Sequence, residues 1–109
     1  MEIYGRVELF FIVTFIWIFQ TCHGDSPVHR DFHTATAVGH MMVIYGGRSS
    51  DQVHNLGPDY YSNKVSYYNT TTSTWYSPDI RPPLPSGRRS HSALCLDNGK
   101  LVIFGGYNG

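Results

Sequence analysis

Apolar residues in this chain come in short runs that end in glycine pairs. Met42-Val43-Ile44-Tyr45 leads into Gly46-Gly47-Arg48, and Leu101-Val102-Ile103-Phe104 leads into Gly105-Gly106-Tyr107. The likeness extends upstream, where Arg30-Asp31-Phe32-His33-Thr34-Ala35 aligns with Arg88-Arg89-Ser90-His91-Ser92-Ala93 at the same distance from the glycines, apart from one inserted residue. Self-similarity at a spacing of about 50 to 60 residues is the signature of a repeat architecture, in which each copy is one supersecondary unit.

The runs predict strands. Thr34-Ala35-Thr36-Ala37-Val38 is compatible with a strand, and Gly39-His40 turns it into Met41-Met42-Val43-Ile44-Tyr45, a hairpin pattern. The unbroken apolar run predicts a second strand covered on both faces. In the later copy the turn holds Asp97-Asn98-Gly99, and its Asn-Gly pair predicts a type I′ turn that absorbs the inserted residue. Arg48 to Asn63 is polar and reads as a long loop. Val65-Ser66-Tyr67-Tyr68 then reads as a third strand, Asn69 to Ser73 as a turn, and Thr74-Trp75-Tyr76 as a fourth. Four strands in meander order make one blade-like sheet. Pro82, Pro83 and Pro85 bar a central strand from Pro78 to Gly87, which becomes the link to a second unit from Arg88.

The expected organisation is therefore all-β: residues 1–24 apart, one repeat with its linker over 25–87, and the first half of a second over 88–109. One and a half units leave apolar faces uncovered, and such units need neighbours to bury them. The isolated chain is expected to be marginal in stability or to associate.

Residues 1–24 do not match the repeat. Leu9 to Phe19 is an eleven-residue apolar block, short for a membrane span and suited to a signal-peptide core, with Cys22-His23-Gly24 as a cleavage site. The flank opposes that, since Glu2 and Glu8 outnumber Arg6. A segment foreign to the domain, an anchor or a core strand are the other readings.

Composition narrows the function classes. Eight basic and eight acidic side chains cancel and are scattered singly, so there is no basic stripe for a phosphate backbone. Two cysteines, Cys22 and Cys95, are too few for a disulfide framework, and Cys95 is expected to be a small buried residue of a strand. His33 and His91 recur at equivalent positions, which favours a structural role over metal binding, and the other histidines lack ligand spacing. No metal or cofactor is expected. Asn69-Thr70-Thr71 is a glycosylation sequon that would matter only in a secreted chain.

The glycine pair after an apolar strand, then Tyr68, then Trp75 seven residues later, resembles the kelch repeat. The resemblance implies a β-propeller fragment in which Gly46, Gly47, Tyr68, Trp75, Gly105 and Gly106 are structural repeat residues. Arg30-Asp31-Phe32-His33, Tyr45-Gly46-Gly47-Arg48 and Gly87-Arg88-Arg89-Ser90-His91-Ser92 are similar to kelch proteins that serve as substrate receptors of cullin-RING ubiquitin ligases. Those receptors read C-terminal glycine degrons by holding the terminal carboxylate. Arginine forks suit a carboxylate, and a hydroxyl can satisfy a further lone pair. By resemblance Arg48 matches one clamping arginine, and Arg89 and Ser90 match a segment at the start of the next blade that supplies a serine and an aromatic. Arg48, Arg89 and Ser90 are thus the candidate carboxylate-binding residues, while Asp51 stands where relatives carry a second arginine. Substrates with a C-terminal glycine and cullin-RING adaptor subunits are the implied partners, and cytoplasm or nucleus the implied location, unless residues 1–24 are a signal peptide. A kelch scaffold or chromatin-associated protein without degron recognition is the alternative, and a secreted kelch protein a third. In the first two the chain is a binding module rather than an enzyme, which is the expectation, whereas the third would be a secreted enzyme of the kind of the extracellular copper oxidases that share kelch repeats.

Overall fold

The computed structural model describes residues 21–49 and 60–109, and all regular structure within them is β. Strand β1 is His23–Gly24 and β2 is Thr34–Val38, which pairs antiparallel with β3, Met41–Tyr45. Thr34 faces Tyr45 across that hairpin, and Val38 faces Met41. Gly39, at φ +58°, opens the two-residue turn, as a type II′ hairpin requires of its first central residue.

Two short strands, β4 (Arg48–Ser49) and β5 (Tyr60–Tyr61), pair with each other. The sequence reads this stretch as loop throughout, yet its two ends form a small ladder, anchored by the Ser62 amide donating to the Gly47 carbonyl at 3.1 Å. A two-residue ladder is too short to leave a periodic signal. Asp51 lies outside the described residues.

Strands β6 (Val65–Asn69) and β7 (Thr74–Tyr76) complete the expected meander, with Ile44 opposite Ser66 and Tyr68 opposite Trp75. The turn between them is set locally. Asn69 Oδ1 accepts from the amides of Thr71 and Thr72 at 2.9 and 3.2 Å, an Asx arrangement, and the Thr70 amide and hydroxyl both donate to the His40 carbonyl. Cross-strand aromatic pairs reinforce the register: Tyr67 stacks on Tyr76 and Tyr68 packs on Trp75, with centroids 5.0 and 5.1 Å apart.

The sheet has one strand more than the meander. β1 pairs parallel with β7, His23 opposite Thr74 and Gly24 opposite Trp75, so the last two residues set apart with the N-terminal segment join the sheet. They satisfy an edge that β7 would otherwise present unpaired.

The second unit consists of β8 (Ser92–Cys95) and β9 (Leu101–Phe104), paired antiparallel with Ser92 opposite Phe104. Its turn differs from the type I′ expected. The Gly99 amide donates to the Leu96 carbonyl, and of the turn residues only Gly99 has positive φ, +79°. Type I′ needs positive φ at both central residues. The extra residue instead permits a turn followed by a left-handed glycine, the three-residue hairpin form. Cys95 is half-buried rather than fully buried, and its thiol donates to the Leu96 carbonyl at 3.3 Å.

The core lies between the units. Ile44 is 5% exposed and Tyr45 2%. The Tyr45 hydroxyl reaches the carbonyls of Pro85 and Ser86 in the linker, and its ring meets His91 edge-on with centroids 5.3 Å apart. The Gly47 amide donates to the Arg88 carbonyl at 2.8 Å, and the Ser90 amide to the Phe32 carbonyl at 2.9 Å.

Candidate functional site

Each unit uses the same backbone device to bring two loop segments together. Asp31 and Arg48 exchange amide-to-carbonyl bonds of 3.0 and 2.9 Å, and at the equivalent positions Arg89 and Tyr107 exchange two of 2.9 Å. The second glycine of each pair makes this approach possible. A Cβ at Gly47 would lie 2.9 Å from the Asp31 carbonyl oxygen, and one at Gly106 2.7 Å from that of Arg89. Phe32 and Ser90, again equivalent, are held at φ +56° and +55°, a region that non-glycine residues seldom occupy. Such outliers, fixed by surrounding bonds, concentrate at binding loops.

On this backbone the side chains converge around Phe32. The Arg48 guanidinium lies over the Phe32 ring, 5.9 Å from its centroid, and the Arg89 guanidinium lies 5.4 Å from the same centroid and 5.2 Å from that of Tyr107. Cation-π attraction orients both cations without consuming their outward donors. Their other partners differ. Arg48 donates through Nε to Asp31 Oδ1 at 3.3 Å and through Nη2 to Asp31 Oδ2 at 3.0 Å. Arg89 has no acidic partner among the described residues, and its Nε is buried without an acceptor there. Ser90, beside it, is exposed. A cavity of about 220 Å³ lined by His29, Arg30, Asp31, Arg48 and Ser49 opens at the ion pair.

Of the three residues singled out by resemblance, Arg48 and Arg89 meet at the Phe32 ring, and Ser90 joins them through its amide, which donates to the Phe32 carbonyl. Asp31, Phe32 and Tyr107 complete the cluster and were not among them. The repeat alignment was the available signal, since Asp31 corresponds to Arg89, Phe32 to Ser90 and Tyr107 to Arg48.

Other recurring residues serve the frame. Arg30 donates to the carbonyls of Val28 and Gly46, and Arg88 makes the equivalent bonds to Ser86 and Gly105. Arg88 thereby pairs with backbone and with the Ser86 hydroxyl, and with no acidic side chain among the described residues. Burial lowers the Arg30 pKa, but the guanidinium remains the charged form. His91 Nε2 lies 2.8 Å from Thr34 Oγ1 across the unit boundary, the structural use that its recurrence with His33 suggests. Burial, followed by the charge of Arg88, pushes the His91 pKa down, and burial pushes the Tyr45 hydroxyl up.

Comparison with known proteins matches residues 3–109 to the KLHDC2/KLHL20/DRC7 Kelch-repeats domain, a span that takes in the apolar N-terminal block. Kelch domain-containing protein 3 of Rattus norvegicus is 40% identical over 100 residues, covering 87% of this chain and 25% of that protein, and the Homo sapiens protein matches equally. Multiple epidermal growth factor-like domains protein 8 of Homo sapiens is 33% identical over 118 residues, 96% of this chain and 4% of that protein. Host cell factor 2 of Homo sapiens is 31% identical over 83 residues, 76% of this chain and 9% of that protein. The chain spans about a quarter of the length of kelch domain-containing protein 3. With glycine pairs closing β3 and β9, a four-strand meander and a second unit seated on the first, it belongs to the kelch-repeat family and is a fragment of an all-β propeller.

Proposed function

We propose that this protein-interaction module recognises the free C-terminal carboxylate of protein ligands ending in glycine, as part of a kelch propeller that acts as a substrate receptor for a cullin-RING ubiquitin ligase. The observation that carries the reading is Arg89, a guanidinium held between the Phe32 and Tyr107 rings with no acidic partner among the described residues. Its outward N–H groups are free to form the parallel pair of bonds that a carboxylate accepts, and the adjacent Ser90 hydroxyl can add a third. A terminal glycine suits such a site because it brings the carboxylate close to the rings without a side chain. Adaptor subunits would bind elsewhere on the complete protein, and its location would be cytoplasm or nucleus.

The test is a binding titration of the 109-residue chain with a labelled peptide ending in glycine, against the same peptide as its C-terminal amide. The free acid should bind, the amide should not, and Arg89→Ala should weaken the acid by about tenfold, the scale of a charge-assisted hydrogen bond. Equal binding of acid and amide would remove the carboxylate reading. It would leave a kelch scaffold without degron recognition, which the engagement of Arg48 by Asp31 favours as the second reading.

A further inference from the structure

We propose that the Asp31 carboxylate is a built-in competitor for Arg48, occupying the fork that a ligand carboxylate would take and having to be displaced before the ligand is fully gripped. The inference rests on the carboxylate reading of the site. Both Asp31 oxygens are engaged, one by Nε and one by Nη2 of Arg48, which is the two-point geometry that a terminal carboxylate adopts on an arginine. Asp31 is tied to Arg48 by two backbone bonds, so its carboxylate is always at hand, and tethering of this kind gives a weak group a high effective concentration.

Two observations argue that the pair serves the site rather than the fold. The side chains of Arg48 and Asp31 are 38% and 50% exposed, where an ion pair contributes little to stability and exchanges readily. In the second unit the equivalent backbone bridge forms between Arg89 and Tyr107, with both bonds 2.9 Å long and no ion pair across it. The loop geometry therefore does not need the carboxylate. Its presence keeps Arg48 oriented beside Phe32 and masks its charge until a stronger or better-placed anion arrives. Arg89, unmasked, receives the ligand first, and Arg48 follows by exchange. The result is a site that discriminates against weak or neutral ligands, because only a carboxylate already held by Arg89 competes with the tethered one.

The experiment uses the full chain and the same pair of labelled peptides, glycine acid and glycine amide. Asp31→Asn keeps the shape and the backbone bridge while removing the competing charge. It should tighten binding of the acid by about fivefold, the upper end of what an exposed pair is worth, and leave the amide unbound. Combining it with Arg48→Ala should abolish the gain, since the benefit runs through the freed guanidinium. Weaker or unchanged binding by Asp31→Asn would overturn the proposal and make Asp31 a support that positions Arg48. A gain that survives Arg48→Ala, or no gain in Asp31→Asn itself while binding still depends on Arg89, sinks the competitor and spares the carboxylate reading. Equal binding of acid and amide by the wild type and by Asp31→Asn sinks both.

Discussion

Tyr45 and Phe104 occupy the same position of the repeat, yet Tyr45 is 2% exposed and Phe104 78%. Tyr45 is covered by the linker and by His91 of the following unit, whereas no described residue covers Phe104 in the same way. Leu94 and Val102, paired across β8 and β9, are exposed beside it at 51% and 39%. The apolar face that unit one buries against unit two is thus repeated, open, on unit two. Tyr45→Ala should cost about 3 to 5 kcal/mol, as removal of a buried aromatic ring does, and Phe104→Ala close to nothing. Urea midpoints of the two variants check this, and equal losses would contradict the unit-on-unit packing. Phe104→Lys should also reduce any concentration-dependent association measured by sedimentation, since it charges an exposed apolar patch.

Burial of His91 at the unit boundary makes that boundary sensitive to pH. His91 is buried, its Nδ1 has no partner among the described residues, and Arg88 and His33 add positive charge nearby. Its folded pKa is therefore below the ordinary 6.5, so below that value the unfolded chain binds the proton that the folded chain refuses. Stability from this group is present above about pH 6.5 and is lost as the pH falls through the lowered folded value. Urea unfolding between pH 7.5 and 5 should show a falling midpoint, and His91→Gln should flatten that slope. An unchanged slope in the variant would place the pH dependence on other groups.

The first glycine of each pair separates backbone strain from packing. Gly46 and Gly105 share positive φ, +70° and +71°. A Cβ at Gly46 would overlap the His91 ring and lie 2.6 Å from the Arg88 carbonyl oxygen, while one at Gly105 meets nothing within 4 Å. Alanine at Gly105 should cost about 1 to 2 kcal/mol, the left-handed strain alone, and alanine at Gly46 clearly more. Thermal unfolding of both variants measures the difference, and equal costs would mean that the two units do not close on Gly46.

The units were legible in the chain alone: apolar runs of strand length, glycine pairs where the backbone must turn at close approach, a turn over Asn69 to Ser73, and prolines that end the first sheet before Arg88. Those are local signals, set by φ, by missing donors and by side-chain alternation, and each strand of the meander was legible from them. The tertiary structure decided what depends on two segments meeting. It placed His23–Gly24 beside β7, closed the ends of the 48–61 stretch into a two-residue ladder, and turned the Asp97-Asn98-Gly99 hairpin differently from the type I′ form. It also decided that, among the described residues, Arg48 faces an acid while Arg89 does not. Nothing in the identity of either arginine distinguishes them. Their partners are supplied by the backbone bridges between Asp31 and Arg48 and between Arg89 and Tyr107, and a bridge between distant segments leaves no mark on the residues at either end taken alone.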